Sequence, residues 1–204
     1  MVNDLRDFIK GVEQLGECKV VEHADWDVEI GSISEVVGAM PEPPMLIFDS
    51  IKGYPKGFRV AALTLGTVRR FALAFGFPDM SDTKELVSYW RKKMKGGIKP
   101  IPPVEVKTGP VKENVLTGDE VDLHKFPVPK WHKNDGGRYI GTGDVVIMRD
   151  PDEGWVNLGT YRTQIHDQDK TKAMIWVSPG KHARLIREKY WAKGKACPTA
   201  VVCG

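Results

Sequence analysis

The segment from Trp155 to His182, WVNLGTYRTQIHDQDKTKAMIWVSPGKH, consists of two apolar arms joined by a polar turn. The turn is HDQDK at residues 166–170, and β-forming residues dominate on both sides of it. This pattern predicts two neighbouring strands of a meander, at residues 155–165 and 172–177.

Three polar groups of fixed geometry lie in this segment: the amide of Asn157, the guanidinium of Arg162 and the imidazole of His182. Local pattern alone leaves two interpretations open. The segment is either part of a functional site or an edge hairpin with a solvated turn.

The composition is that of an ordinary globular protein. Among the 204 residues, 41% are hydrophobic and 28% are charged, so a sizeable core is expected. The 30 basic and 27 acidic residues are interspersed, and the net charge of +3 is too small to indicate binding to nucleic acid or to an anionic membrane.

Targeting and redox signals are weak. The sequence has no apolar run long enough to span a bilayer, and MVNDLRDF at the start lacks the apolar region of a signal peptide. Cys18, Cys197 and Cys203 form neither a metal-ligand spacing nor an even disulfide set. We therefore expect reduced thiols and a cytoplasmic protein.

The first half of the chain alternates helical and strand patterns. Apolar spacing predicts helices at 5–15, 28–37, 66–75 and from 83, and strands at 19–21, 45–48 and 59–63. This alternation predicts a small α/β domain over residues 1–98. The proline-rich stretch that begins at Lys99 is extended and marks the boundary.

Strands and turns dominate the second domain, residues 99–204. Strands are predicted at 139–148, 155–165 and 172–177, a helix from about His182, and a further strand from Ala200. The chain as a whole is therefore predicted to be α+β, with its sheet cut at the end of the sequence.

The sequence lacks the motifs of several enzyme classes. We find no nucleophile elbow, no HExxH and no CxxC. Gly141-Thr142-Gly143 lacks the third glycine and the helix of a dinucleotide-binding loop.

By contrast, Asn157 and His182 lie near glycines. An amide oxygen and an imidazole can share a Mg²⁺-like or Mn²⁺-like ion if a carboxylate and a phosphate complete the shell.

Two further groups suit an anionic ligand. Arg162 stays charged and forms paired hydrogen bonds with carboxylates. Gly180 and Lys181 precede the predicted helix, where backbone N–H groups and a cation can bind phosphate.

The chain resembles the UbiD family, the decarboxylases that use prenylated FMN. The resemblance rests on these stretches: DLRDFIKGVEQLGE, LIFDSIKGYPKGFRV, PPVEVKTGPVKENVLTGDEVDLHKFPVPKWHKNDGGRYIGTGDVVIMRDPDEGWVNLGTYR and VSPGKHARLIREKYWAKGKACPTAVVCG. It extends over essentially all of the sequence and is most specific from Pro102 to Gly204.

The resemblance implies an N-terminal α/β domain followed by the start of a split β-barrel that binds the flavin. It implies reversible, non-oxidative decarboxylation of an aromatic or α,β-unsaturated carboxylic acid. The implied cofactors are prenylated FMN, whose phosphate is bound through Mn²⁺, with K⁺ nearby. A flavin prenyltransferase would supply the cofactor, and the full-length protein would form a homo-oligomer.

The resemblance also implies roles for individual residues. Asn157 and His182 are similar to the first two metal ligands, and Arg162 to the arginine of a Glu-Arg-Glu catalytic network. Gly180 and Lys181 would lie at the phosphate. The residues that line the flavin would be Thr160, Tyr161, Arg162, Ile175, Trp176 and Val177.

Two features do not fit this scheme. In the family, the third metal ligand and both catalytic glutamates follow the position of Gly204, so we expect the isolated chain to be inactive. It would then be the N-terminal part of an enzyme or, alternatively, a non-catalytic flavin-binding or structural subunit. Strand alternation also places Asn157 and Arg162 on opposite faces, which predicts a bulge near Gly159.

Overall fold

The computed structural model describes residues 2–141 and 143–204; Thr142, in the middle of the glycine-flanked Gly141–Gly143 stretch, lies outside the described residues. Five α-helices and eight strands are present in the described part: α1 Leu5–Gln14, β1 Cys18–Glu22, α2 Glu29–Gly38, β2 Met45–Asp49, β3 Val60–Ala62, α3 Val68–Ala74, α4 Thr83–Met94, β4 Asp144–Arg149, β5 Val156–Gly159, β6 Arg162–Ile165, β7 Ala173–Trp176, α5 His182–Ala192 and β8 Thr199–Cys203. The prediction of an α+β protein is confirmed, while the split barrel stays a prediction.

The strands form three small sheets, with the orders β1-β2-β3, β5-β4-β8 and β6-β7. The prediction of one continuous strand over residues 155–165 is wrong. Its two halves, β5 and β6, belong to different sheets, and Thr160 and Tyr161 form the connection between them.

Helices α1 and α4 begin where a short polar side chain caps them. The Asp4 carboxylate accepts a hydrogen bond of 2.8 Å from the Asp7 amide, and the Asp82 carboxylate accepts one of 2.9 Å from the Glu85 amide. Each carboxylate satisfies a backbone N–H that has no partner inside its helix. The predicted helix starts at both positions are confirmed.

The chain forms two compact units, and each unit contains three segments. The first unit contains residues up to Val21, Ser34–Ile47 and Ala61–Val121, and the second contains Glu22–Ile33, Phe48–Val60 and Asp122–Gly204. The buried core of the first unit comprises Phe8, Ile9, Val12, Met45 and Ile47. The buried core of the second comprises Val146, Met148, Tyr161, Ala183 and Ile186. The predicted boundary between residues 98 and 99 stays a prediction.

None of the helices in the described part of the chain is both long enough and apolar enough to cross a membrane.

The segment after α4 has little structure of its own. No backbone amide of residues 98–108 donates a hydrogen bond to another described residue. The side chains of Ile98, Ile101 and Val104 are 76%, 91% and 84% exposed. A protease can therefore reach this backbone without unfolding a helix or strand.

Limited trypsin digestion should first cut the chain after Lys107, because Lys99 is followed by a proline. The expected early products are fragments 1–107 and 108–204, identified by mass spectrometry. Lys107→Gln should delay their appearance at least about tenfold, since proteolysis follows local exposure. Lys84→Gln, inside α4, is the matched control. Initial cleavage elsewhere at the wild-type rate would contradict this account of the segment.

Candidate functional site

Asn157 lies on the inner face of the β5-β4-β8 sheet. β4 pairs antiparallel with β5, so that Asn157 is opposite Met148. Helix α5 packs against β4 and β5. Because inward and outward side chains alternate along a strand, Asn157 is buried and its neighbours Val156 and Leu158 are exposed.

The connection after β5 depends on a close contact between Gly159 and Tyr161. A Cβ atom on Gly159 would lie 2.6 Å from Cε2 of the Tyr161 ring, so any larger residue there would force the ring to move. The chain leaves the first sheet here and enters the second at Arg162. Instead of the predicted bulge within one strand, a complete break separates the buried Asn157 from the exposed Arg162.

The β6-β7 hairpin has one exposed face and one buried face. Arg162 is opposite Trp176 and Gln164 is opposite Met174, and residues opposite each other project to the same side of the sheet. Trp176 is 65% exposed and Met174 is 46% exposed. An apolar surface with a guanidinium beside it is therefore open to solvent, and such a surface can contact a planar ring and an anion.

The other predicted flavin contacts have mixed positions. Thr160 is exposed, whereas Ile175 and Val177 are partly buried against the core of the second unit. The side chain of Tyr161 is 9% exposed and belongs to that core. Of the predicted residues in this hairpin, Arg162 and Trp176 have the most accessible side chains for a ligand on its open face.

The hairpin turn is ordered by its own side chains. The His166 Nδ1 atom accepts hydrogen bonds from the amides of Gln168 and Asp169. The Asp169 carboxylate pairs with Lys172 at 2.7 Å, and this hydrogen bond holds the pKa of Asp169 well below its usual range. The turn is thus a defined loop, although Asp167 and Gln168 are exposed.

His182 is the first residue of α5, as the sequence predicted. Gly180 has a φ of +78°, and Lys181 occupies the N-cap position without a side-chain hydrogen bond to the helix. The first backbone N–H groups of α5 therefore remain available to an anion. The His182 imidazole is exposed and meets the Trp155 ring edge to face at a centroid distance of 5.3 Å.

Asn157 and His182 fit a divalent cation in part. An amide oxygen and an imidazole nitrogen are suitable ligands for Mn²⁺. Among the described residues, however, no group of three or more His, Cys, Asp or Glu side chains could hold a metal ion. The donors in this part of the chain are both neutral, so a tight site requires anionic ligands from elsewhere.

An ion pair fixes α5 to the turn between β4 and β5. The Asp150 side chain is buried and accepts hydrogen bonds of 2.9 Å from the amides of Asp152 and Glu153. It also pairs with Lys189 of α5 at 2.7 Å. The Lys189 hydrogen bond, with support from the two amides, lowers the pKa of Asp150 to about 2.

Asp150→Asn should lower the melting temperature by several degrees at pH 7. The folded pKa of about 2 lies below the value of about 4 for an unfolded aspartate. The stabilisation is therefore complete above the unfolded value and disappears as the pH falls towards the folded one. Circular dichroism melts of wild type and variant should converge near pH 2. Asp152→Asn, in the more exposed part of the same turn, should have the smaller effect at pH 7.

Three contacts of this region were absent from the sequence predictions. They are Tyr161 with Asn157, Trp155 with His182, and the buried pair in which the Thr163 hydroxyl donates to Asp144 at 2.5 Å. The aromatic residues two and four positions from Asn157 were the available signal. The residues that these aromatic rings contact depend on tertiary packing, which the spacing of residues along the sequence does not show.

Family models match both halves of the chain. Residues 9–90 match the 3-octaprenyl-4-hydroxybenzoate carboxy-lyase N-terminal domain (UbiD_N), and residues 103–204 match the Rift-related domain of the same carboxy-lyase (UbiD).

Characterised relatives are decarboxylases. The chain is 34% identical to pyrrole-2-carboxylic acid decarboxylase of Pseudomonas aeruginosa, over 98% of this chain and 41% of the relative. It superposes on vanillic acid decarboxylase of Sedimentibacter hydroxybenzoicus in its closed form with a TM-score of 0.89 and 26% identity, over 100% of this chain and 43% of that one. The chain spans about two fifths of the length of these relatives.

A second similar structure contains a flavin. It is the UbiD-class enzyme HmfF of Pelotomaculum thermopropionicum in complex with FMN, with a TM-score of 0.81 and 27% identity, over 98% of this chain and 42% of that one. An evolved dimeric form of HmfF has been solved with prenylated FMN, abbreviated prFMN.

Proposed function

Because the chain belongs to the UbiD family, we propose that it is the N-terminal part of a decarboxylase that uses prenylated FMN. The reaction is the reversible, non-oxidative decarboxylation of an aromatic or α,β-unsaturated carboxylic acid. The named relatives act on acids of this kind, pyrrole-2-carboxylic and vanillic acid among them.

The observation that best supports this function is the open face of the β6-β7 hairpin. Arg162 and Trp176 are directly opposite each other there, and both are exposed. The indole and Met174 offer an apolar contact for a ring system, and the guanidinium can bind a substrate carboxylate through two parallel hydrogen bonds. Arg162 would thereby orient the acid with its carboxylate towards the cofactor.

The cofactor phosphate would be held next to this hairpin. Gly180 and Lys181 offer the uncapped start of α5, and Asn157 and His182 offer two ligands for Mn²⁺; K⁺ would bind nearby. Prenylated FMN, when bound, supplies the electron sink for decarboxylation. The residues of this chain bind and orient, and the proton donor would be a glutamate beyond these 204 residues.

The alternative is a non-catalytic flavin-binding or structural subunit. The observation in its favour is that, among the described residues, no group of three or more His, Cys, Asp or Glu side chains could hold a metal ion. In either case we propose a cytoplasmic location, a homo-oligomeric full-length protein and a flavin prenyltransferase as the source of cofactor.

A binding titration tests the proposed site. FMN or prenylated FMN is added to the chain with Mn²⁺, and quenching of flavin fluorescence is measured. We expect micromolar binding that Asn157→Ala or His182→Ala abolishes. Asn134→Ala, at an exposed position, is the matched control and should bind normally. Equal binding by all four proteins, or none by the wild type, would reject the site.

An activity assay tests whether the isolated chain contains every group that the reaction needs. The purified 204-residue chain, loaded with prenylated FMN and Mn²⁺, should release no carbon dioxide from pyrrole-2-carboxylic, ferulic or vanillic acid. Turnover by the isolated chain would show that its own residues provide the acid, contrary to the mechanism proposed here.

A further inference from the structure

Tyr161 contacts the side chain of Asn157 from inside the core. The Asn157 Nδ2 atom donates a long hydrogen bond of 3.5 Å to the Tyr161 hydroxyl. Asn157 is 7% exposed and Tyr161 is 9% exposed, so neither group exchanges freely with water. This contact restrains the orientation of the Asn157 side-chain amide, because the Tyr161 hydroxyl can hydrogen-bond to an amide group.

The Tyr161 ring is itself held on several sides. It lies over Gly159, where a Cβ atom would be within 2.9 Å of three of its atoms. It also belongs to the core that includes Ala183 and Ile186 of α5. Tyr161 therefore couples the position of Asn157 to the helix that begins at His182.

Trp155 makes the corresponding contact with His182. The two rings meet edge to face, with an interplanar angle of 79° and a centroid distance of 5.3 Å. Such a geometry is favoured by the quadrupole of the indole ring and restricts rotation of the imidazole. His182 is otherwise exposed, so this contact is the main restraint on its ring orientation that the described residues provide.

We propose that Tyr161 and Trp155 are positioning residues for a metal-binding pair, one for the amide of Asn157 and one for the imidazole of His182. This inference rests on the proposed function and assigns Tyr161 to the metal ligand rather than to the flavin face. Residues behind the ligands of a metal site orient them and typically change metal affinity about 10- to 100-fold when they are replaced.

Two conservative variants test this role against matched controls. Tyr161→Phe removes the hydroxyl and keeps the ring, and Tyr190→Phe does the same to a second tyrosine packed on the same core. Trp155→Leu removes the indole, and Trp191→Leu removes the indole of an exposed tryptophan in α5.

The Mn²⁺ affinity of the chain is measured by electron paramagnetic resonance of the free ion. We expect Tyr161→Phe and Trp155→Leu to weaken binding about tenfold or more, and the two controls to leave it unchanged.

A metal-free measurement detects the same contacts. In NMR spectra of the apo chain, the Asn157 side-chain amide should have its own pair of resonances, which Tyr161→Phe shifts. The His182 ring protons should show a ring-current shift from the neighbouring indole, which Trp155→Leu removes. If wild-type Mn²⁺ binding requires Asn157 but is unaffected by Tyr161→Phe and Trp155→Leu, the positioning role is wrong and the proposed function stands. If the wild-type chain shows the NMR signatures but binds no Mn²⁺, the metal site itself is wrong and the positioning role falls with it.

Discussion

Arg70→Met is expected to lower the free energy of unfolding by about 3–5 kcal/mol, the range for removing one partner of a buried ion pair. The Arg70 side chain is fully buried and pairs with Glu17 at 2.9 Å. Its other N–H groups donate to the backbone carbonyls of Pro43, Leu63 and Thr64, at 2.7, 3.1 and 3.0 Å.

The substitution leaves four acceptors without this donor. Burial lowers the pKa of Arg70, but a guanidinium remains charged inside proteins. Arg70 thus joins the loop before β2, the loop after β3 and the connection between α1 and β1 through one cation. Methionine can fill the volume but cannot donate to any of these oxygens, so each of them loses one hydrogen bond that offsets its desolvation.

The preceding residue provides the matched control. Arg69 also pairs with Glu17, at 3.3 Å, and with Asp79 at 3.1 Å, but its side chain is 36% exposed. Arg69→Met should therefore cost only about 0–1 kcal/mol, as for surface ion pairs. Urea unfolding followed by far-UV circular dichroism measures both variants. Equal costs for the two arginines would contradict the structural role assigned to Arg70.

Gly31→Ala should destabilise the second compact unit by about 3 kcal/mol or more, at the upper end of the range for overpacking. An alanine Cβ at this position of α2 would lie 1.8 Å from the carbonyl oxygen of Trp131 and 2.6 Å from its carbonyl carbon. This obstacle is backbone, so a change of rotamer cannot remove it.

The obstructing backbone is also tied to the start of the same helix. The Val28 amide donates to the Lys130 carbonyl at 2.8 Å, and the Lys130 amide donates to the Trp26 carbonyl at 3.0 Å. Separating Trp131 from α2 would strain both bonds. A loss of about 3 kcal/mol corresponds to a fall in melting temperature of about 6–12 °C for a chain of this size.

Gly38→Ala is the control for this prediction, because Gly38 is the last residue of the same helix. Its Cβ would meet only the flexible side chain of Leu63, at 3.2 Å. Alanine is favoured over glycine in helices by about 1 kcal/mol, so this variant should be neutral or slightly more stable. A melting temperature for Gly31→Ala within a degree or two of that of Gly38→Ala would show that the contact with Trp131 is not rigid.

Local structure in this chain was predictable because its causes are local. Asp4 and Asp82 lie at the starts of apolar helical patterns, and each caps the helix that follows. The continuous apolar run at 45–48 predicted a buried strand, and the first four residues of β2 are buried. The turn that follows Asp150 has Gly154 in the left-handed region, which glycine adopts readily. Each of these features is decided within a few residues.

The geometry of the candidate site was not predictable from the sequence, and the assignment of its residues stays a prediction. The alternating arm 155–165 was predicted to be one strand, yet the chain changes sheets at Thr160 and Tyr161. Alternation along a strand shows which side chains lie on each face of the sheet. It does not show which neighbouring strand forms the backbone hydrogen bonds with it. Only the packing of the Tyr161 ring over Gly159 and into the core beneath α5 accounts for the break.

The sequence by itself determined the family, the position of most helices and strands, and the residue types available for binding. These depend on short-range periodicity and on motifs that remain recognisable without a structure. Tertiary structure decided that Asn157 is buried while Arg162 is exposed beside Trp176, and that two aromatic rings contact the predicted metal ligands. Burial and side-chain contact arise from groups far apart along the chain, and their free energies depend on a packing that no single segment contains.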